Sequence, residues 1–430
     1  MLFNEVGLKL LVVSLNFSPE MTSTGKYTGE LAEWFAQRGH RVSAVAGMPH
    51  YPAWQVDAAY RGTGWRRERL ADVDVMRTPH YVPPAGRVTA LRRIWMETSF
   101  TLSSLRWWLP LLLRRERFDA VIAVCPPLQN AVFPRIYRWV SGTPWILHIQ
   151  DFQVDAAVRL GMLRGGALGR ALYALENFCL RQANWVSSIT PAMCRRIEAK
   201  GAAAEQVLHL PNWADVAGIV PQPPDAEYRR QLGAAPGQVL VMYAGAMATK
   251  QGLDVVLDAA VHLQGDSRFR FALVGDGSDA PRLRQRAEAL ELNNLVFLPP
   301  QPQERLAALL SAGDIHLVIQ KRDAADLVMP SKLTNILAAG RPAVATAEAH
   351  TALWDVLEGG GAGRCVVPES TQSLVEGLNE LAADPVLRER MGTRARVYAE
   401  RNLDREAILQ RFESTLLALI CSTPPLTGDH

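Results

Sequence analysis

Three segments carry the residue types best suited to holding an anion. The first runs from Tyr243 through Gly245 and Lys250 to Gly252, directly after the apolar run Val239–Tyr243. Its glycines let the backbone come close to a ligand. A helix opening after them offers unpaired N–H groups and about half a positive charge. A lysine at that end is disfavoured by ~0.3–1 kcal/mol, because cations belong at the other end of a helix. A bound anion reverses the penalty; otherwise Lys250 is a solvated lysine in a turn. The second segment is Val274-Gly275-Asp276-Gly277, whose glycines a tight turn alone would also require. The third opens at Pro330-Ser331-Lys332 and runs through Asn335 to Gly340. Pro330 suits a first helical turn and Gly340 a helix end, so Lys332 again sits where the dipole disfavours it. Lys321 and Arg322 add charge at a neighbouring strand end. Two lysines at helix starts point to a diphosphate.

The elements that must position these residues follow one pattern. A short apolar run, a loop and an amphipathic helix repeat along the chain. Lys9–Asn16, Arg41–Ala46, Asp119–Val124, Trp145–Ile149 and Trp185–Thr190 read as buried strands. A helix over Tyr27–Gln37 follows a loop containing Gly25, with Leu31, Trp34 and Phe35 on one face. Pro211–Gln238 is rich in proline and lacks a period, which predicts a linker over 213–238. The alternation then restarts with strands at Val239–Tyr243, Phe269–Val274, Leu295–Leu298, Ile315–Ile319 and Pro342–Thr346. The expected fold class is α/β: two doubly wound Rossmann-like domains, 1–212 and 239–395, facing a cleft, with ligands beyond the strand carboxyl ends. A final helix over about Arg396–Ile420, within 396–430, is expected to cross back to the first domain.

Composition narrows the function classes. The 430 residues are 48% hydrophobic and 21% charged, as in an ordinary globular protein, and the net charge of +3 is too small to suggest nucleic-acid binding. Five scattered cysteines and nine dispersed histidines form neither a disulfide framework nor a metal motif, which predicts a reducing compartment and no metal. No signal-peptide pattern and no run of about 18 apolar residues is present, so a cytoplasmic protein is expected. A phosphate loop of the G-x-x-x-x-G-K-[ST] type, a G-x-G-x-x-G after the first strand and a G-x-S-x-G elbow are all missing.

Several segments together resemble the family-4 retaining glycosyltransferases of GT-B fold, over nearly the whole chain. They are Asn16–Glu30, Leu147–Asp151, Lys250–Leu253, and Gln320–Arg322 with Pro330–Leu337. The nearest resemblance is to the colanic-acid-biosynthesis enzymes described as fucosyltransferases. It implies transfer of a sugar, with retention, from a GDP- or UDP-linked donor to an undecaprenyl-diphosphate-linked glycan, without a cofactor. GDP-fucose or another deoxyhexose nucleotide is the first expectation for the donor, and a UDP-linked amino sugar the second. The resemblance implies Lys250, Lys332 and Asp151 at the reaction centre. It also implies Gly25, Gly245, Gly275, Gly277, Lys321, Arg322, Ser331 and Asn335 around the donor. Lys26, Glu30, His148 and Gln150 fall in the acceptor or sugar region, with His148 or Gln150 in the place of a family histidine. The chain departs from the family where two glutamates eight positions apart become Leu327 and Asn335, and a phosphate-binding arginine becomes Ala246. Asp323 or Asp326 could substitute for the first glutamate, and the Asn335 amide could still reach ribose hydroxyls.

Two other reaction classes stay open. A sugar-nucleotide epimerase needs acid/base carboxylates that the sequence does not offer as an obvious pair. A non-catalytic nucleotide-sugar binder would explain the missing glutamates. Finally, Gly86–Asp119 holds seven arginines against three acids, interleaved with Trp95, Phe100, Trp107, Trp108 and Leu109–Leu113. Either it lies peripherally on the cytoplasmic membrane surface, or it is an amphipathic helix with its apolar side in the core and its arginines in water. Pro110 predicts two helices or a kink there.

Overall fold

The computed structural model describes residues 7–20, 23–84, 86–114, 117–152, 155, 167–322 and 330–422. They form two compact units, one within Met1–Pro211 and Leu409–His430, the other Asn212–Ile408.

The first unit is built on eight strands: β1 (Lys9–Ser14), β2 (Arg41–Gly47), β3 (Arg66–Leu70), β4 (Val73–Thr78), β5 (Ala120–Cys125), β6 (Trp145–Ile149), β7 (Trp185–Ser188) and β8 (Val207–His209). Their order is β3-β4-β2-β1-β5-β6-β7-β8, parallel except for β3 against β4. The inner strands are almost wholly buried, as a sheet covered on both faces must be. The hairpin β3–β4 is absent from the sequence reading. Its turn residues Ala71 and Asp72 take positive φ without the usual Asn-Gly signature, and β3 (RRERL) is a charged edge strand.

Helix α1 spans Ser23–Gln37, so Gly25 and Lys26 lie in its first turns rather than in the loop expected there. The loop is shorter because the helix start presses onto it: a Cβ at Gly25 would meet the Glu20 carboxylate at 2.7 Å. Of the two helices or a kink expected at Pro110, two helices do not form: α2 is one element over Ala90–Arg114 with Pro110 inside it. Pro110 removes a single helical hydrogen bond, while Met96, Phe100, Trp108 and Leu111 pack into the core on either side of it. Helices α3 (Val132–Ser141) and α4 (Ala167–Gln182) follow on the crossovers to β6 and β7.

The second unit has the order β11-β10-β9-β12-β13-β14, all parallel. Its strands are β9 (Val239–Ala244), β10 (Phe269–Val274), β11 (Leu295–Leu298), β12 (Ile315–Val318), β13 (Ala343–Thr346) and β14 (Gly363–Val366). Residues 213–238, expected as a linker, pack into this unit instead. Ala214, Val216 and Ile219 join its core, Ala214 donates to Leu403 O at 2.8 Å, and helix α5 (Ala226–Gln231) buries Tyr228. The prolines shape this segment without freeing it. Helix α6 (Asp254–His262) follows β9 and α7 (Ser331–Ala338) precedes β13.

The C-terminal region also differs from the single helix expected from about Arg396. Helix α8 begins at Pro385, capped by the Asp384 side chain, and ends at Asn402. Helix α9 (Arg405–Ser422) then carries Glu413 onto the first unit, where its carboxylate accepts from Arg38 Nε at 3.1 Å and contacts His40 Nε2 at 2.6 Å.

Candidate functional site

In the second unit the loops after β9 and β10 lie against each other, backbone to backbone. Gly245 N donates to Val274 O at 2.9 Å and Met247 N to Asp276 O at 2.8 Å. A Cβ on Gly275 would come within 2.0 Å of Gly245 O, and one on Gly277 within 2.3 Å of Met247 O. Both glycines also have positive φ, 140° and 157°. Their Hα atoms therefore face the neighbouring loop, and close packing of two loops is what they provide.

Lys332 reaches this pair of loops from the first turn of α7. Its Nζ donates to Tyr243 Oη at 2.7 Å and stands 4.0 Å from the centre of the tyrosine ring. Tyr243 Oη in turn donates to Ala246 O at 2.6 Å. Burial pushes the Tyr243 phenol well above its ordinary pKa, so it stays protonated and can make both contacts. The Lys332 Nζ is 3.5 Å from where a Gly245 Cβ would be. A cation is thus held over a side-chain-free stretch of backbone at a strand carboxyl end. Sequence reasoning found Lys332 and the glycines and missed Tyr243. The signal was present: one phenol closes the otherwise aliphatic β9.

The remaining predicted residues of this unit lie on α7 and on the loops after β9 and β12. No side chain caps the start of α7, where Ser331 is exposed. Asn335 sits one turn on from Lys332, and its Oδ1 is buried with no donor among the described residues. The aliphatic stem of Lys321 packs over Gly252, its Cγ 2.9 Å from an ideal Cβ there. Lys250 lies in the short turn Thr249–Gln251, and its side chain is outside the described residues, as are Asp323, Asp326 and Leu327. Arg322 is exposed and ion-paired with Glu348. Among the described residues no cluster of histidine, cysteine, aspartate and glutamate could hold a metal ion.

In the first unit the strand-end loops are tied by buried charge. Glu20 accepts from His50 N at 2.8 Å, Tyr51 N at 2.9 Å and Asn16 Nδ2 at 2.8 Å. Arg77 is fully buried. It donates to Glu68 Oε1 at 2.6 Å, to Gly47 O at 3.1 Å and to Ser18 O. Neither tie was anticipated, because an isolated Glu or Arg in a sequence gives no sign of its burial. Gly25 backs onto Glu20, while Lys26 and Glu30 pair with each other at 3.8 Å along α1. His148 lies inside the sheet on β6. Its Nδ1 is 2.8 Å from Ser187 Oγ, and the Gln150 amide nitrogen is 2.8 Å from its Nε2. Burial lowers the His148 pKa to about 4, so the ring is neutral. Both ring nitrogens are engaged by protein, and Asp151, next in the chain after Gln150, is half-buried.

The chain is similar to known proteins. A family model for glycosyl transferases group 1 matches residues 224–398, and one for a glycosyl transferase 4-like domain matches 23–213. The chain is 41% identical over 413 residues to WcaI, a colanic acid biosynthesis glycosyl transferase of Escherichia coli (strain K12), covering 94% of this chain and 98% of that protein. It is 23% identical to the glycosyltransferase WbjE of Pseudomonas aeruginosa over 62% of this chain and 67% of that one. Among solved structures, sucrose-phosphate synthase of Thermosynechococcus elongatus superposes with a TM-score of 0.73 at 15% identity, covering 96% of this chain and all of that one. Anabaena HepE in complex with UDP gives 0.70 at 17% identity over 96% of this chain and 100% of HepE. The lipopolysaccharide-biosynthesis glycosyltransferase WaaG gives 0.66 at 16% identity, over 94% and 99%. These likenesses identify the fold as GT-B.

Proposed function

This chain belongs to the glycosyltransferase family of its colanic acid relative, and we propose that its second unit holds a nucleotide-diphosphate sugar whose sugar it transfers to a growing surface polysaccharide. The observation that carries the donor reading is the Lys332 ammonium, seated on Tyr243 beside Gly245 at the packed loops after β9 and β10. Departure of a nucleoside diphosphate builds negative charge on its β-phosphate. Lys332, Lys250 and the uncapped start of α7 stabilise that charge in place, without a metal. Complexes of HepE with UDP and with UDP-glucose support a nucleotide-sugar ligand for this fold.

The finer parts of the reading are the following. The donor sugar is fucose or another deoxyhexose on GDP, with a UDP-linked amino sugar as the second candidate. Asn335 takes a ribose hydroxyl through its unused Oδ1, and Ser331, Lys321 and Arg322 line the donor's surroundings. Asp151 acts at the reaction centre, Gly25 approaches the donor diphosphate or the acceptor, and Lys26, Glu30, His148 and Gln150 serve the sugar and acceptor. The acceptor is an undecaprenyl-diphosphate-linked glycan met at the cytoplasmic face of the membrane, and transfer retains configuration by front-face attack.

A thermal-shift panel of GDP- and UDP-sugars tests the donor. A ligand at a hundred times its Kd adds about 2.7 kcal/mol of stability. One base and one sugar should stand out, and a flat panel contradicts the reading. Lys250→Ala should abolish transfer in a folded protein, and chelator should leave transfer unchanged; inhibition by chelator reversed by Mg²⁺ contradicts the metal-free mechanism. Labelled donor without acceptor should stay unepimerised.

A further inference from the structure

A cavity in the second unit lies away from the loops after β9 and β10. Asp314 and Pro342 line it and stand immediately before β12 and β13. They mark the amino edge of that parallel sheet, opposite the edge that carries Gly245 and Lys332. The cavity, of about 540 Å³, opens between the turn that ends α7, one face of α8 and the segment before β9. Its volume is in the range of small-molecule sites. Helix α8 contributes Arg388, Gly392, Thr393 and Arg396, at spacings that put them on one side of a helix. Gly392 lets α8 pass close to the end of α7, since a Cβ there would stand 2.3 Å from Gly340 O. Pro221 and Gln222 form another wall, so the proline-rich segment shapes this hollow.

Three arginines, Arg341, Arg388 and Arg396, line the cavity, and they are not alike. Arg396 is spent on structure. Its guanidinium donates to Ile219 O at 2.7 Å, Ala338 O at 2.8 Å and Val216 O at 2.9 Å, and its Nε to Glu400 at 2.6 Å. Arg341 donates through Nη2 to Gln222 O at 2.7 Å. Arg388 donates through Nη1 to Leu381 O and to Ala382 O. A guanidinium is a fork of N–H donors, and the rest of both forks has no acceptor among the described residues. Both side chains are half-buried. Burial pushes Arg341 below its ordinary pKa, while Asp314 and Arg229 act on it in opposite senses. Asp314 is itself committed, accepting from Arg229 Nη1 and from Leu240 N, each at 2.8 Å. A cation drawn partly out of water without a bonded counter-ion is costly, and buried charges are ordinarily paired.

The lining selects the class of ligand. An anion answers the two uncommitted arginines, and guanidinium forks match phosphate oxygens in shape and charge. The carbonyl end of α7 would repel an anion, but Arg396 covers Ala338 O there. Glu389 and Asp314 also line the cavity. A bare polyanion meets those carboxylates unfavourably, whereas the hydroxyls of a sugar donate to them. Thr393 and Gln222 add hydrogen-bonding groups, and Pro385 and Val397 an apolar rim. A phosphate carried on a small polyhydroxylated ring suits these groups together.

We propose that this cavity is a second ligand site, one that binds a hexose phosphate with its phosphoryl group on Arg341 and Arg388 and its hydroxyls on Glu389, Asp314 and Thr393. The site is separate from the donor loops and does not rest on the donor reading. Calorimetric titration of the full chain with glucose 6-phosphate, mannose 6-phosphate and glucose 1-phosphate tests it, with inorganic phosphate, glucose and AMP as controls. At least one hexose phosphate should bind, about tenfold or more tightly than any control. Arg341→Gln and Arg388→Gln should each weaken that binding about tenfold or more, through the loss of one charged contact. Thr393→Glu changes an exposed side chain and keeps every arginine, but sets a carboxylate against the phosphate. It should weaken binding as much while keeping the wild-type thermal midpoint, so that a fold defect does not account for the loss. Lys332→Ala should bind the hexose phosphate as wild type does. Wild type that binds no hexose phosphate overturns the inference, as does binding that Arg388→Gln and Thr393→Glu leave unchanged. Binding lost in Lys332→Ala overturns it by placing the ligand at the donor loops. Inorganic phosphate or AMP held as tightly overturns the assignment to a sugar phosphate. A hexose phosphate that binds when no nucleotide sugar does would leave this site standing and remove the donor reading.

Discussion

In the first unit the loops at the carboxyl ends of β1 and β2 are held by buried charged side chains, whereas in the second the loops after β9 and β10 hold each other through backbone. Arg77 and Glu20 reach across several loops to make the first arrangement. Gly275 and Gly277 make the second by having no side chain. The difference matters for ligands. Loops walled by backbone leave the Lys332 ammonium over side-chain-free peptide, where an anion could approach. Loops braced by carboxylates and guanidinium groups use those charges internally, on one another and on backbone.

Breaking a brace should therefore damage the fold of the first unit more than any single change damages that of the second. Arg77→Leu leaves Glu68 with only Arg66 and Tyr60 and strips the Gly47 and Ser18 carbonyls, so ~3–5 kcal/mol of stability should be lost. Urea unfolding followed by tryptophan fluorescence measures this, and a loss below about 1 kcal/mol would show that the buried pair is not a brace. In the second unit Lys332→Met should leave the fold nearly intact while slowing transfer by ~2–4 kcal/mol of barrier. Steady-state kinetics should place most of that loss in kcat.

Acid should also act unequally on the two units. Burial, with the charge of His50 added, lowers His80 to about 3, and burial lowers His148 to about 4; both lie in the first unit. In the second unit burial lowers His316 to about 4. Each folded pKa is below the unfolded value near 6.5, so the unfolded chain binds more protons between them and stability rises with pH. The full stability is present above pH 6.5 and is lost as pH falls from there toward 4, by about 1.4 kcal/mol per histidine per pH unit. Unfolding midpoints at pH 7, 5.5 and 4.5 should fall, and His148→Gln should flatten the slope. The smallest effect belongs to Tyr243→Phe, which removes one hydrogen bond to Lys332 and should cost about 0.5–1.5 kcal/mol in donor affinity.

The same contrast explains what the sequence disclosed. Strands such as Trp145–Ile149 and Phe269–Val274 are mostly apolar runs, each with a single polar residue, and were legible to the residue. Glycines and helix-start lysines are local signals, so the second-unit loops were legible too. The charged edge strand β3 lacks an apolar pattern, and the short β8 (Val207–His209) and the burial of Glu20 and Arg77 depend largely on partners tens of residues away, so no local pattern encodes them. The proline-rich stretch before β9 misled because prolines shape a packed segment as readily as a free one. In α2 the exposed apolar stripe could not be told from the buried one until the helix had a core side.

The account rests on a diphosphate at Lys332. Calorimetric titration of UDP and GDP against UMP and GMP, on wild type and Lys332→Ala, tests it most directly. The preferred diphosphate should bind wild type at least about tenfold more tightly than its monophosphate, a difference of about 1.4 kcal/mol, and Lys332→Ala should erase most of that gap while leaving monophosphate binding unchanged. An equal gap in the variant, or none in wild type, would contradict it.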